Sequence, residues 1–176
     1  MSTSIPNATS HPSTPQRDEG PDNLFTGKAG EYEVASQLLI RYWQVAFPAV
    51  DIGHDLVISD GDFVQRVQVK TSRAIEQKRS YVGRFHIPRG QLATPTTPEL
   101  LYVLAVYRHG RWSDFVVTPR DQLYSEHDLH NVGTTSKTGR GITFRLRFDD
   151  GAVVSGNRDW TRYRRAWPVS AARNDG

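Results

Sequence analysis

The sequence predicts an α+β domain of the general α/β class, with one helix, a strand-rich middle, and then a second short helix followed by further strands. Three observations predict this. Apolar residues recur at helical spacing near the start of the chain, alternating or continuous apolar segments follow, and Pro119 opens a short helical pattern ending near His127. The 176 residues correspond to about one domain on the usual scale of ~100–200 residues each.

The first helix is predicted over residues 28–43, with Thr26 as its N-cap. Gly27 and Gly30 are unusual in a first turn, because glycine weakens helices, and they would let that turn approach another backbone or a phosphate closely. The buried face is predicted from residues at i, i+3, i+4 and i+7, which are Ala35, Leu38, Leu39 and Tyr42.

The strand predictions follow from β-branched and aromatic segments bounded by turn residues. Asp60-Gly61 reads as the turn of a hairpin between the second and third strands. The predicted strands are Val45–Phe47, Asp55–Ser59, Val64–Thr71, Tyr81–Ile87, Leu101–Arg108, Ser113–Thr118, Ile142–Phe148 and Ala152–Ser155. Trp160, Tyr163 and Trp167 fall at i, i+3 and i+7, which favours a helix that packs its aromatic face on the core.

Composition limits the classes of protein that fit. Residues 1–23 and 169–176 are predicted to be tails around a domain over 24–168, since they lack hydrophobic periodicity. The longest apolar run is much shorter than the ~18 residues of a membrane span, and no secretory signal is evident, so a cytoplasmic protein without a membrane partner is expected. The absence of cysteine excludes disulfides, thiolate zinc sites and a cysteine nucleophile.

The charge distribution favours a polyanionic partner. The net charge is +3 with a pI near 9.3, and basic residues concentrate over 64–89 and 156–173. A solvated face of an arginine-rich chain would look the same. A nucleotide cofactor is not expected, because the basic loop from Lys137 to Arg140 lacks the P-loop pattern.

Three segments are predicted to form one site. Glu31 falls on the buried stripe of the helix, and Arg66, Gln68 and Lys70 share one face of the third strand. A two-residue turn would place Asp55 opposite Arg66, and a four-residue loop would place it opposite Gln68. In either register Asp55 shares a face with Gln68 and Lys70.

Such a group of side chains suits a divalent cation. Oxygen donors from Asp55, Gln68 and Glu31 are of the kind that Mg²⁺ prefers, and Mn²⁺ can replace it. A bound cation activates water and offsets charge on a scissile phosphate, and Lys70 would stabilise developing negative charge or orient the attacking water.

The motifs resemble those of the PD-(D/E)XK nuclease superfamily, which includes restriction endonucleases and archaeal-type Holliday junction resolvases. The resemblance covers residues 27–73 and rests on Gly27-Lys-Ala-Gly-Glu31, Asp51-Ile-Gly-His-Asp55-Leu-Val-Ile and Arg66-Val-Gln-Val-Lys70-Thr71. It implies a restriction-endonuclease-like αβββαβ core, with a mixed central sheet flanked by helices and extra C-terminal strands. It also implies metal-dependent phosphodiester hydrolysis, in which Asp55 is the first acidic ligand, Lys70 the lysine and Glu31 the helix glutamate.

Two features depart from the pattern. His54 rather than proline precedes Asp55, and Gln68 stands where the superfamily usually has Asp or Glu. The amide oxygen of Gln68 can still coordinate, but the site has one negative charge fewer. The sequence therefore predicts a Mg²⁺-dependent DNA endonuclease, with a catalytically inactive nucleic-acid-binding module or an interaction subunit of a defence or recombination complex as alternatives. One such site cuts one strand, so a homodimer is expected.

Several further residues are predicted to contact nucleic acid. Gln91 would contact phosphate or water, or else serve a turn; Thr71 and Arg73 would grip phosphates, or else form a solvated strand end. The predicted nucleic-acid-binding set is Arg66, Thr71, Arg73, Gln91, Arg162, Arg164 and Arg165.

Overall fold

The computed structural model describes residues 23–50, 53–61 and 63–170. Residues 1–22 of the predicted tail over 1–23, and residues 171–176 of the one over 169–176, lie outside these residues. In chain order the elements are α1 (Asn23–Leu39), β1 (Gln44–Ala46), β2 (Leu56–Asp60), β3 (Phe63–Arg73), β4 (Ile75–Glu76), β5 (Tyr81–Pro88), α2 (Arg89–Ala93), β6 (Leu100–Arg108), β7 (Arg111–Pro119), α3 (Arg120–Asp128), β8 (Thr134–Thr135), β9 (Gly141–Phe148), β10 (Val153–Ser155), β11 (Arg158–Asp159) and a 3₁₀ turn (Thr161–Tyr163).

The strands form two sheets. Sheet A has the order β1-β2-β3-β6-β7 and is mixed, because β3 and β6 run parallel while the other neighbours are antiparallel. Sheet B has the order β11-β10-β9-β5-β4, with β8 beside β9, and is antiparallel. The crossover from β3 to β6 passes through β4, β5 and α2, as a parallel pair requires a long connection.

Two cores hold the layers together. Val34 and Leu38 of α1 pack on Val67, Val69 and other apolar residues on one face of sheet A. The other face of sheet A packs against sheet B through a larger cluster that also contains Leu92 of α2 and Leu123 of α3. The α+β class and the mixed sheet are as predicted. The strands outside the mixed sheet form a second sheet, which packs on one face of the mixed sheet together with α2 and α3.

The first helix differs from its prediction at both ends. It runs from Asn23 to Leu39, so Thr26 is a buried residue inside it rather than its cap. It ends because Tyr42 adopts φ of 68°, and the Trp43 N–H donates to the Leu38 carbonyl at 3.2 Å, in the pattern of a Schellman motif. Leu39 and Tyr42 are therefore exposed instead of buried. The buried stripe is Thr26, Gly30, Val34, Ala35 and Leu38.

The C-terminal segment packs as predicted but is not helical. Trp160 and Tyr163 are buried in the core between the sheets, and Trp167 packs on the other core. Only a 3₁₀ turn forms, because Arg164 pairs with Val116 as an isolated β-bridge and Arg165 takes φ of 52°. The chain stays packed against the domain as far as Ser170, which is buried and donates a hydrogen bond to the carboxylate of Asp60 in β2 at 2.8 Å.

No helix among the described residues is long and apolar enough to cross a bilayer.

A buried ion pair fastens this segment to sheet A. The Asp114 carboxylate of β7 accepts hydrogen bonds from Arg164 Nε and Nη2 at 2.8 and 2.7 Å and from the Tyr81 hydroxyl, and Arg165 Nε lies 3.4 Å away. Burial acts to raise the pKa of Asp114, but the hydrogen bonds from Arg164 and Tyr81 outweigh it and hold the pKa below its ordinary value.

We expect Arg164→Ala to lower the free energy of unfolding by about 2–3 kcal/mol, less than the ~3–5 kcal/mol of a fully buried broken pair, because Arg165 still faces Asp114. A depressed carboxyl pKa contributes stability above the unfolded pKa, and this is lost as pH falls through the folded pKa. The wild type should thus lose stability below about pH 4, and the variant should lose less. Urea unfolding from pH 3 to 7 measures both, with exposed Arg162→Ala as control. An equal effect of the two variants would contradict this account.

Candidate functional site

The predicted catalytic residues lie together in one pocket. Its volume is about 490 Å³, and it opens beside the start of β2. The predicted residues that line it are Glu31, Asp55, Gln68, Lys70, Thr71 and Arg73.

The β2–β3 hairpin accounts for this convergence. The predicted Asp60-Gly61 turn is wrong by one residue, because Asp60 still belongs to β2 and pairs with Phe63. Ser59 lies opposite Val64, which is the register in which Asp55 falls beside Gln68. The paired ladder ends at Leu56 and Val67, while β3 runs on to Arg73. Beyond this point β2 no longer flanks β3, so residues from both faces of sheet A can reach the same opening.

Asp55 binds to β3 at the place where the ladder ends. Its backbone N–H donates to the Val67 carbonyl at 2.9 Å. Its carboxylate Oδ2 accepts the Val69 N–H at 2.7 Å and also accepts a hydrogen bond from the Gln68 amide. The carboxylate thus takes the position of a missing strand carbonyl, and its orientation is fixed by backbone as well as by Gln68.

Gln91 lies behind Gln68 and not at the open mouth. Its Nε2 donates to Gln68 Oε1 at 2.7 Å and to the Gly53 carbonyl at 2.8 Å. Gln91 therefore links α2 to Gly53, which comes shortly before Asp55 in the chain, and to Gln68, which lies beside Asp55 on β3. It also orients the Gln68 amide. In the structure the Gln91 amide nitrogen is engaged by Gln68 and Gly53, and the contact of Gln91 with phosphate stays a prediction.

A neighbouring lysine holds Glu31 from the helix side. Lys28 Nζ donates to Glu31 Oε2 at 2.6 Å and lies over the rings of Tyr32 and Phe47. The hydrogen bond to Glu31 is the main reason why the pKa of Lys28 is raised. In the described part of the chain, Lys70 has no ion pair, so its ammonium faces the pocket without a fixed carboxylate partner.

Close packing of α1 on β3 brings Glu31 to the pocket. Gly30 is buried, and a Cβ there would lie 2.2 Å from Thr71 Cγ2 and 2.9 Å from Trp112. The close approach that the sequence suggested for this glycine is therefore to β3. Arg73, near the end of the same strand, donates to the Thr26 hydroxyl at 3.4 Å.

The remaining predicted contacts do not meet at the pocket. Arg66 lies opposite Val57, outside the lining. Arg162 faces Glu126, and Arg164 and Arg165 face Asp114. Nucleic-acid contact by these four arginines stays a prediction, and for Arg164 the buried ion pair gives a structural role.

The sequence reading missed residues of β5. Arg84 and His86 line the same pocket, and the Arg84 N–H donates to the Ser72 hydroxyl at 2.8 Å. The signal was present, because the alternation of Tyr81–Pro88 places these two polar residues on one face of a strand whose other face is apolar.

The donor set suits a hard cation, although it is not an acidic cluster. Asp55 and Glu31 supply carboxylate oxygens and Gln68 an amide oxygen, which are the ligand types of Mg²⁺. Over residues 23–50, 53–61 and 63–170 the structure contains no group of three Asp, Glu, His or Cys side chains placed to hold a metal. Any cation here would depend on the neutral oxygen of Gln68 or keep additional waters.

Comparison with known proteins identifies the fold. No family model and no curated protein matches the sequence. Among solved structures, a bacterial homing endonuclease, I-Ssp6803I, superposes with a TM-score of 0.53 at 22% identity, covering 82% of this chain and 89% of the other. The chain has a restriction-endonuclease-like fold. A Holliday junction resolvase, Hjc from Archaeoglobus fulgidus, aligns with a TM-score of 0.42 at 12% identity, over 67% of this chain and 82% of the resolvase.

The αβββαβ core is interrupted here by an insertion. The expected succession of helix, three strands, helix and strand is found as α1, β1, β2, β3, α2 and β6, and β4 and β5 are interposed. The motif residues Asp55, Gln68 and Lys70 lie on the β2–β3 hairpin of this core, and β5 adds Arg84 and His86 to the pocket.

The two glycines of α1 should respond in opposite directions to alanine. We expect Gly30→Ala to lower the free energy of unfolding by about 1–3 kcal/mol, because its methyl group collides with Thr71 and Trp112. Gly27→Ala should raise it by about 0.5–1 kcal/mol, because a Cβ there meets nothing within 4 Å and alanine favours the helix. Chemical denaturation measures both. Equal effects would show that α1 does not depend on this close contact.

Proposed function

We propose that this protein is a Mg²⁺-dependent DNA endonuclease whose catalytic residues are Glu31, Asp55, Gln68 and Lys70. The proposal rests chiefly on one observation. The structure brings an ordered carboxylate, an amide, a second carboxylate and a lysine without an ion pair into a single open pocket of a nuclease fold. The fold neighbour I-Ssp6803I is a homing endonuclease, which supports DNA as the substrate.

The chain's own groups suit the binding of a cation. Asp55, Glu31 and Gln68 would hold it, and when bound it supplies an activated water and offsets charge on the phosphate. In the structure the Gln68 nitrogen faces Asp55, and its oxygen faces Gln91. Positive charge beside Asp55 would repel the amide N–H groups and attract the amide oxygen, so coordination requires the Gln68 amide to turn.

Lys70 is suited to act on the phosphate. It follows Gln68 by two residues on the same strand, so both side chains project from the same face of β3. Because no carboxylate of the described chain pairs with it, its N–H groups can donate to a phosphate oxygen or to the attacking water. Glu31 is paired to Lys28 at 2.6 Å, which leaves Lys70 for the substrate.

The first test separates cation binding from cleavage. We expect Asp55→Asn to abolish the rise in thermal midpoint that Mg²⁺ or Mn²⁺ gives the wild type, because the variant retains a hydrogen-bond acceptor but loses the charge. Lys70→Ala should retain that rise and DNA binding but lose at least 100-fold in plasmid nicking rate, a loss in the range for one catalytic group. Differential scanning fluorimetry and nicking assays provide the measurements.

Asp128→Ala and Lys137→Ala are matched controls, because both residues are exposed and outside the pocket. Neither should change the cation response or the nicking rate. Cleavage that survives both Asp55→Asn and Lys70→Ala would overturn the site assignment.

The second test uses the glutamine itself. Gln68→Glu removes the amide donor to Asp55 and sets a second carboxylate beside it, so in EDTA stability should fall by about 1–3 kcal/mol. With Mg²⁺ the same charge should tighten cation binding by at least tenfold, about 1.4 kcal/mol, and retain or raise cleavage. Titration calorimetry and nicking rates measure the effects, with exposed Gln77→Glu as control. Weaker Mg²⁺ binding in Gln68→Glu would contradict the ligand role of Gln68.

A non-catalytic nucleic-acid-binding module is a second candidate, and the direct hydrogen bond between Gln68 and Asp55 favours it, since this bond stabilises the pocket without a cation. In that case the wild type binds DNA in EDTA and does not cleave, and Gln68→Glu introduces cleavage. A protein that binds no nucleic acid at low salt would instead be the interaction subunit. Cutting both strands requires two sites, so we retain the homodimer as part of the nuclease proposal.

A further inference from the structure

The outer face of sheet B carries a basic surface next to the candidate active site. In β5 and β9 alternate side chains point inward to the core, among them Phe85, Ile87, Phe144 and Leu146. The residues between them point outward, and Arg84, His86 and Arg145 are exposed. We refer to Arg84, His86, Thr143 and Arg145 as the β5–β9 surface.

Two arginines of this surface face one another across the strands. Arg84 pairs directly with Arg145 in the antiparallel β5–β9 register. Like charges at directly opposed positions of a sheet destabilise it. Within the part of the chain that the structure describes, neither guanidinium has a side-chain hydrogen bond or an ion pair. The free protein therefore carries a repulsion that an anion between the two side chains would relieve.

His86, two residues after Arg84 on the same face of β5, is held in place by its neighbours on β9. His86 pairs with Thr143, and its Nδ1 lies 3.3 Å from the Thr143 hydroxyl. Its ring occupies the space over Gly141, where a Cβ would lie 2.1 Å from the ring Cε1. The glycine thus leaves room for an imidazole held flat on the sheet beside the arginine pair.

The β5–β9 surface is continuous with the candidate active site. Arg84 and His86 line the pocket that contains Asp55 and Lys70. Their cross-strand partners, Arg145 and Thr143, line an adjacent hollow of about 340 Å³. Directly opposed side chains lie about 5 Å apart at Cβ, so the two guanidinium groups can donate to the oxygens of one phosphate between them.

The other large basic pocket is less suited to this role. Arg108 of its lining is paired with Glu76, and Arg164 and Arg165 are paired with Asp114, whereas Lys78, Arg79 and Arg111 have no ion pair among the described residues. Its lining contains none of Glu31, Asp55, Gln68 and Lys70, so a phosphate bound there would not lie at the candidate catalytic residues.

We propose that the β5–β9 surface, centred on the Arg84–Arg145 pair, binds the phosphate backbone of duplex DNA and directs the strand into the pocket. This assignment rests on the proposed nuclease function, since it supplies the substrate to that site. It attributes the main electrostatic contact to sheet B, away from the C-terminal arginines that the charge pattern of the sequence suggested.

Arg145→Glu tests the assignment, because Arg145 does not line the catalytic pocket. The change places a carboxylate opposite Arg84, so the thermal midpoint should rise by one or two degrees. Affinity for a duplex in EDTA at 50 mM salt should fall at least tenfold. The slope of log affinity against log salt concentration should become shallower by an amount that corresponds to about one or two phosphate contacts. With Mg²⁺, the DNA concentration that gives half the maximal nicking rate should rise at least tenfold.

Arg111→Glu is the matched control, with the same charge change at an exposed arginine that begins β7, lies opposite Arg108 and lines the other basic pocket. Among the described residues Arg111 has no ion pair. An equal loss of affinity in the control, or unchanged affinity in Arg145→Glu, overturns the assignment. The two proposals fail separately. If the wild type binds DNA through Arg145 but does not cleave it, the binding surface is supported and the nuclease function is overturned. If the wild type cleaves DNA and Arg145→Glu has no effect on binding or cleavage, the nuclease function is supported and the binding surface is overturned.

Discussion

The hydrogen bond from the Val69 N–H to the Asp55 carboxylate is the contact on which the candidate site depends. It lies where β2 stops pairing with β3, and it satisfies a backbone donor that the ended ladder would otherwise leave unpaired. The same carboxylate accepts from Gln68, which Gln91 holds from α2. One carboxylate thus ends a strand ladder, orients an amide and lines the pocket, so the fold and the site share a structural element.

Gln68 stands at a position where PD-(D/E)XK nucleases usually have Asp or Glu, and this difference alters the electrostatics of the pocket. Two carboxylates at this distance would repel each other in the absence of a cation, and one would remain protonated. An amide removes that repulsion and donates to Asp55, so the pocket is stable when empty, at the expense of one negative charge for a cation. We infer that Gln68 makes the site more stable and less avid for cations than an all-acidic one.

Much of the fold and the centre of the site could be predicted from the sequence, because period-two patterns and an even hairpin register decide which side chains share a face. Asp55, Gln68 and Lys70 converge for that reason. The end of α1 could not be predicted, since Tyr42 adopts a left-handed conformation that residue type does not favour. The place of Gln91 and the C-terminal 3₁₀ turn depend on contacts with residues distant in sequence, such as Gln68 and Asp114. Arg84 and His86 belong to a strand that joins the pocket only through tertiary packing.

The central claim is that the pocket holds a divalent cation through Asp55, Gln68 and Glu31. The most direct measurement is a crystal structure of the protein soaked in Mn²⁺, with data collected for anomalous scattering. The account predicts an anomalous peak within about 2.5 Å of an Asp55 carboxylate oxygen, with the Gln68 amide turned so that its oxygen faces the ion. Full occupancy of Mn²⁺ elsewhere, with Gln68 still donating to Asp55, would contradict it.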